Sequence, residues 1–104
     1  MRQKKLLTLD MSTKSSGWST FDMMTNELLS YGRIEKYKEE EPDMRKRVAY
    51  MMDNIKEVIL KHEPTHIVAE NVPPSIQNAS TVLALGILQG AVYGMAYTLG
   101  LEMD

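Results

Sequence analysis

The first 35 residues alternate apolar and polar positions in three short runs. Residues 4–11, 17–22 and 28–35 each hold apolar residues at strand spacing, and turn-forming residues such as Ser, Thr, Gly and Asn separate them. Strands that follow one another this closely pair antiparallel. The pattern predicts a three-stranded meander.

A helical period begins after the acidic run at residues 39–41, and Pro42 is expected at the first helical position. The sequence His62-Glu63-Pro64 is expected to end this helix. A short apolar run at 65–70 then predicts a strand, which can pair parallel to the first strand because a helix precedes it. The apolar stripe of the helix consists of Met44, Val48, Met51, Ile55, Val58 and Ile59.

Residues 71–101 carry no charge, and residues 79–99 are expected to form one long helix that Gly100 ends. Gly86, Gly90 and Gly94 recur every fourth residue, so another helix or the sheet should approach that face closely. A membrane span is the alternative. The polar residues and the absence of flanking bases favour a buried-core or dimer-interface helix. The predicted fold is α/β, with elements in the order β-β-β-α-β-α.

The composition limits the chain to one globular domain over residues 1–104, with 43% hydrophobic and 25% charged residues. There is no cysteine, which excludes disulfides and thiolate metal sites. With no secretory signal at the start of the chain, the cytoplasm is the simplest compartment. The net charge is −2, but every Lys and Arg lies at or before Lys61. A cationic rim beside an acidic pocket is therefore expected, and a solvated surface is the alternative.

Two carboxylates stand at the ends of predicted strands. Asp10 follows Leu6-Leu7-Thr8-Leu9, and Glu70 follows Ile67-Val68-Ala69. If these strands are neighbours, about 4.8 Å apart, the two acids share one site. Their mutual repulsion favours a role in holding one divalent cation, or bridging a metal pair, for phosphodiester chemistry. In the alternative interpretation, Asp10 only caps its own loop.

The candidate phosphate contacts lie elsewhere. Ser12 and Lys14 belong to a hydroxyl-rich turn after Asp10, and Arg45-Lys46-Arg47 stand near a helix start. Simple surface solvation is the alternative for these bases. The sequence contains no P-loop, no G-x-G-x-x-G fingerprint, no nucleophile elbow and no cysteine-based zinc pattern.

Short motifs in a fixed order give the chain a family resemblance. The chain resembles the RuvC-type Holliday junction resolvases of the RNase H-like superfamily, particularly their compact bacteriophage relatives. The motifs that carry the resemblance are Leu9-Asp10-x-Ser12, Ser16-Gly17-Trp18, Ala69-Glu70-Asn71, Asn78-Ala79-Ser80, Leu85-Gly86 and Gln89-Gly90.

The resemblance implies a mixed sheet of order 3-2-1-4 with a fifth strand barely begun, completing the family order 3-2-1-4-5. It also implies that Asp10 and Glu70 are two of four acidic ligands for Mg²⁺ or Mn²⁺. A homodimer, joined through helix 79–99, would cut two strands of a four-way or branched DNA junction. Asn71 and Asn78, within the shared motifs, become candidate DNA contacts.

One departure from the family concerns the end of the sequence. The family continues through a fifth strand and a last helix that bear two further acidic ligands, and Asp104 matches neither. The chain is therefore expected to be the N-terminal portion of a longer resolvase domain, with little or no cleavage by itself. Two other functions stay open: the phosphate-binding half of an actin-like ATPase or sugar kinase, and a non-catalytic DNA-binding or dimerisation module.

Overall fold

A computed structural model describes residues 3–35, 42–70 and 79–104 of the chain. The predicted elements are present in the predicted order, and their ends differ from the expected positions by one or two residues. The elements are β1 (Lys5–Asp10), β2 (Ser16–Asp22), β3 (Leu28–Ile34), α1 (Met44–His62), β4 (His66–Ala69), α2 (Ala79–Thr98) and β5 (Glu102–Met103).

The five strands form one mixed sheet of order β3-β2-β1-β4-β5. The meander β1-β2-β3 is antiparallel, β4 runs parallel to β1, and the two-residue β5 runs parallel to β4. The predicted mixed sheet of order 3-2-1-4 with a short fifth strand is therefore confirmed. The four strands β1, β3, β4 and β5 run in the same direction, so their carboxyl ends lie at one end of the sheet.

The two helices pack against each other over one face of the sheet. Leu7, Leu9 and Ile67 point to that face and are buried. Thr8 and Val68 pair on the opposite face, where Val68 is exposed. Two cross-strand pairs of hydroxyl groups fix the meander, Thr8 with Ser19 and Thr20 with Ser30. The face that the helices cover is packed with apolar side chains and also holds the Thr20–Ser30 pair, whereas the Thr8–Ser19 pair lies on the opposite face.

The helix α1 begins at Met44, so the prediction that Pro42 occupies the first helical position is wrong. Asp43 is the N-cap, and its carboxylate accepts a hydrogen bond from the backbone N–H of Arg45 at 2.9 Å. The side chain of an aspartate at the N-cap accepts a hydrogen bond from a free backbone N–H of the first helical turn, whereas proline has no side-chain acceptor. The helix therefore starts after Asp43 and not at Pro42. The buried residues Val48, Met51, Ile55 and Ile59 confirm the apolar stripe.

Over residues 82–98, the fully buried side chains of α2 form a single row. That row consists of Ala84, Leu88, Val92 and Ala96, spaced four residues apart. The glycines lie outside it, and a Cβ placed on any of the three would meet nothing within 4 Å in the described part of the chain. Neither the sheet nor another helix in the described part of the chain approaches the glycines, so that part of the prediction is wrong, and close approach by a helix of a second copy stays a prediction.

The end of α2 agrees with the sequence. Gly100 follows with φ of +75°, a left-handed conformation that glycine adopts without steric cost. Among the described residues, no helix combines the length and the apolar character needed to cross a membrane.

Candidate functional site

The sheet brings Asp10 and Glu70 together. Asp10 is the last residue of β1, and Glu70 directly follows β4. Leu9 pairs with Ala69 in the parallel register, and the N–H of Glu70 donates to the carbonyl oxygen of Leu9 at 3.0 Å. The two carboxylates therefore leave neighbouring strands at the same level, about one strand spacing of 4.8 Å apart.

Both carboxylates face an open cleft of about 270 Å³. Both side chains are exposed, and no hydrogen bond or ion pair from the described residues reaches either carboxylate. The pair can therefore offer oxygen ligands to a hard cation. The described residues contain no group of three or more metal-binding side chains. The cleft is lined by Thr8, Leu9, Asp10, Gly17, Trp18, Ser19, Gly32, Arg33 and Glu70.

The loop after Asp10 is closed by serines. The hydroxyl of Ser16 donates to the carbonyl oxygen of Ser12 at 2.9 Å and accepts from the N–H of Ser12 at 3.1 Å. The hydroxyl of Ser12 in turn accepts from the N–H of Lys14 at 3.1 Å. These bonds hold the loop without the carboxylate of Asp10, which argues against a capping role for that residue. Neither Ser12 nor Lys14 lines the cleft.

The basic cluster Arg45-Lys46-Arg47 lies in the first turn of α1, at the same end of the sheet as the cleft. The hydroxyl of Tyr50, in the second turn, donates to the carbonyl oxygen of Glu35 at 2.9 Å, which places the helix start beside the end of β3. Arg45 is also paired with Asp43 at 3.3 Å. The hydrogen bond from the Arg45 side chain, with a second from its backbone N–H, lowers the pKa of Asp43.

These bases therefore share an end of the sheet with the carboxylates without lining their cleft. The two remaining candidates, Asn71 and Asn78, lie outside the described residues.

Arg33 is a cleft residue that the sequence reasoning missed. It lies on β3, and its guanidinium Nη1 donates to the hydroxyl of Ser15 at 2.9 Å. The register pairs Arg33 with Gly17 and Gly17 with Asp10, so Arg33 and Asp10 lie in one cross-strand row. This pairing could in principle have been predicted from the strand spacing. A register irregularity in the β2–β3 pair, between Thr20 and Phe21, makes the alignment of Arg33 with Gly17 hard to deduce from the sequence.

Comparison with known families gives one match over nearly the whole chain. Residues 6–103 match the family model described as "Crossover junction endodeoxyribonuclease RuvC". A search of curated proteins found no match.

Solved structures with the same fold include two of RuvC from Thermus thermophilus. One is a complex with a Holliday junction substrate (TM-score 0.75, 17% identity, covering 96% of this chain and 62% of that one). The second is described as the RuvC structure (TM-score 0.74, 18% identity, 95% and 61%). The Fowlpox virus resolvase, in complex with Holliday junction DNA, is more distant (TM-score 0.57, 10% identity, 96% and 58%). The chain thus spans about three fifths of the length of these proteins.

Proposed function

Because the chain belongs to the RuvC family of crossover junction endodeoxyribonucleases, we propose that it provides the catalytic core for hydrolysis of phosphodiester bonds at four-way or branched DNA junctions. The observation that carries the proposal is the pair of exposed carboxylates, Asp10 and Glu70, at the ends of neighbouring parallel strands. The family match favours this function over an ATPase-like half or a binding module without activity. Such an enzyme would act in the cytoplasm of a bacterial or phage-infected cell.

Asp10 and Glu70 would hold Mg²⁺ or Mn²⁺. Their oxygen atoms suit a hard cation, and their exposure leaves room for water and phosphate oxygens to complete the coordination. When bound, such a cation polarises the phosphoryl oxygen and makes a bound water more acidic. The contribution of the protein is to fix the two carboxylates at one level of the sheet, through the bond from Glu70 to Leu9. It also leaves the cleft open for a DNA strand.

The basic residues at the same end of the sheet would bind the DNA backbone. Lys14 is exposed on the loop that follows Asp10, and Arg45 and Lys46 are exposed at the start of α1. Contacts of this kind add affinity that falls as the salt concentration rises. Arg47, Ser12, Asn71 and Asn78 complete the set of proposed DNA contacts.

The outward face of α2 would join two copies of the chain. This outward stripe, on the side away from the buried row, has apolar side chains next to residues without side chains, so a second helix can approach closely. A second copy offers the same stripe, as a two-fold symmetric dimer requires. The stripe consists of Leu83, Gly86, Ile87, Gly90, Tyr93, Gly94 and Tyr97.

The test is cleavage of a labelled four-way junction against a plain duplex of the same sequence, in Mg²⁺ or Mn²⁺. It uses the 104-residue chain and, where the natural polypeptide is longer, that polypeptide. Little or no cleavage is expected from the 104-residue chain by itself. Paired nicks in the junction alone are expected from the longer natural polypeptide, and Asp10→Asn should abolish them there. Asp53→Asn is the matched control, because Asp53 is an exposed carboxylate on α1 outside the cleft.

Three results with the natural polypeptide would contradict the proposal: no cleavage with either metal, equal cleavage of duplex and junction, or full activity of Asp10→Asn.

A further inference from the structure

One row of residues crosses four strands at the cleft. Glu70 follows β4, Asp10 ends β1, and the register then leads to Gly17 on β2 and Arg33 on β3. The row therefore runs from two carboxylates to a guanidinium, with a single glycine between them.

Gly17 leaves a gap in that row. A Cβ at this position would lie 4.0 Å from the Cβ of Asp10 and 3.9 Å from Nη2 of Arg33. These are ordinary contact distances, so a small side chain fits without a clash. The absence of a side chain thus keeps a space that Asp10 flanks on one side and Arg33 on the other, at the surface of the open cleft.

Arg33 is held in place but not neutralised. One of its N–H groups donates to Ser15, and the other donors of the guanidinium remain for a ligand. Within residues 3–35, 42–70 and 79–104, Arg33 forms no ion pair. Its fixed, planar donors and permanent charge suit a phosphate group.

We propose that Arg33 and the gap at Gly17 form a subsite for a DNA phosphate adjacent to the one that is cleaved. The inference rests on the proposed nuclease function and adds a positioning residue to it. A phosphodiester in this gap would bind to Arg33 while the neighbouring phosphate lies at Asp10 and Glu70. Arg33 would thereby hold the register of the DNA strand and offset the repulsion between the carboxylates and the DNA.

Binding of junction DNA in EDTA, measured over a series of salt concentrations, tests the subsite. Arg33→Gln should weaken binding about tenfold. It should also reduce the slope of log K against log salt by about 1, and do so for any sequence. Arg33→Lys should restore part of the affinity, since it keeps the charge and loses the planar donors. Lys56→Gln is the control with the same charge change, because Lys56 is exposed on α1 away from the cleft.

A second variant fills the gap without touching any charge. Gly17→Val places methyl groups where the phosphate would lie, and valine is favoured in strands. We expect weaker binding and a higher KM with a folded protein, as thermal unfolding would show. In single-turnover cleavage, Arg33→Gln should raise KM more than it lowers kcat.

The outcomes separate the two proposals. Unchanged affinity and salt slope in Arg33→Gln, while the wild type cleaves junctions, would overturn the subsite alone. Absence of both junction binding and cleavage in the wild type would overturn the subsite together with the nuclease function.

Discussion

The charged side chains at the two ends of the sheet differ in their hydrogen bonding. At the amino end of β1, the ammonium group of Lys5 donates to the carbonyl oxygen of His62 at 2.8 Å. Asp22, paired with Lys5 in the register, accepts hydrogen bonds from the Gln3 side chain at 2.6 Å and from the N–H of Met24 at 2.7 Å. At the carboxyl end, no described residue bonds to the carboxylate of Asp10 or Glu70.

The pKa of Asp22 reflects this difference. The hydrogen bond from Gln3, followed by those from the N–H groups of Met24 and Thr25, lowers the pKa of Asp22. Its charge is therefore stabilised by the folded chain itself, at the end of β2 where the turn to β3 begins. The carboxylates of Asp10 and Glu70 accept no such hydrogen bonds from the residues that the structure describes. Acids that stabilise the structure and acids available to a ligand can thus be told apart by their hydrogen bonds.

The largest expected effect is a contrast between two variants: one at Asp10 should affect activity, and one at Asp22 should affect stability. Asp10→Asn should lower junction cleavage at least about 100-fold, because it removes a proposed metal ligand. It should leave the melting temperature unchanged or slightly higher, since it removes repulsion from Glu70. Asp22→Ala should keep the activity and lower the melting temperature, because it removes the acceptor of the turn. Cleavage rates and thermal unfolding check both, and a large stability loss in Asp10→Asn would contradict the comparison.

The packing of Trp18, on the face of the sheet that the helices cover, can be tested with a glycine variant. A Cβ on Gly32 would lie 2.6 Å from the ring of Trp18, and that ring also lies near the ring of His62, with 4.8 Å between ring centroids. Because the indole is held against a second ring, Gly32→Ala should reduce the free energy of unfolding by about 1–3 kcal/mol. Chemical denaturation measures this loss. Gly17→Ala is the control, since its Cβ meets only ordinary contacts.

The outward stripe of α2 resembles the carboxyl end, because its groups have no partner in the described chain. Gly90→Leu should leave the fold of one copy intact, since nothing lies within 4 Å of the added Cβ. It should weaken dimerisation about tenfold or more by blocking close approach of a second helix. Sedimentation at several concentrations gives the mass. A wild type that is monomeric throughout, or an unchanged dimer in Gly90→Leu, would contradict the proposed interface.

The smallest expected effect concerns His62 at the amino end. Burial, with lesser contributions from the charges of Lys61 and Lys5, lowers the pKa of His62 below its ordinary value of 6.5. The folded state therefore binds fewer protons than the unfolded state below pH 6.5, and stability falls as the pH drops through this window. His62→Gln should show a smaller loss between pH 7 and the lowered pKa. Denaturation at several pH values compares the two, and parallel curves would contradict the effect.

The helices and strands could be predicted from the sequence because each has a clear spacing of apolar residues within a short stretch of chain. The stripe of α1 and the runs of β1 and β4 identified their own secondary structure, and the helix between β3 and β4 indicated that β4 would run parallel to β1. The placement of Asp10 beside Glu70 followed from that pairing. Their roles, and the limits of the domain, stay predictions.

The wrong and missing predictions concern contacts that the spacing of apolar residues along the chain does not determine. Pro42 suggested a helix start, but Asp43 next to it was the better cap. The four-residue spacing of Gly86, Gly90 and Gly94 suggested packing, but within the described chain a different row with the same spacing, from Ala84 to Ala96, is the buried one. Arg33 was missed because its position in the cleft depends on pairing across two strand boundaries, one of which contains an irregularity.

The hydroxyl pairs of the meander have a consequence for the distance between acid and base at the cleft. Thr8 bonds with Ser19 between β1 and β2, and Thr20 bonds with Ser30 between β2 and β3. A slip of one residue at either boundary would turn Asp10 or Arg33 to the opposite face of the sheet. The two pairs thus fix the register of the three strands, and this register sets the separation between the carboxylate of Asp10 and the guanidinium of Arg33.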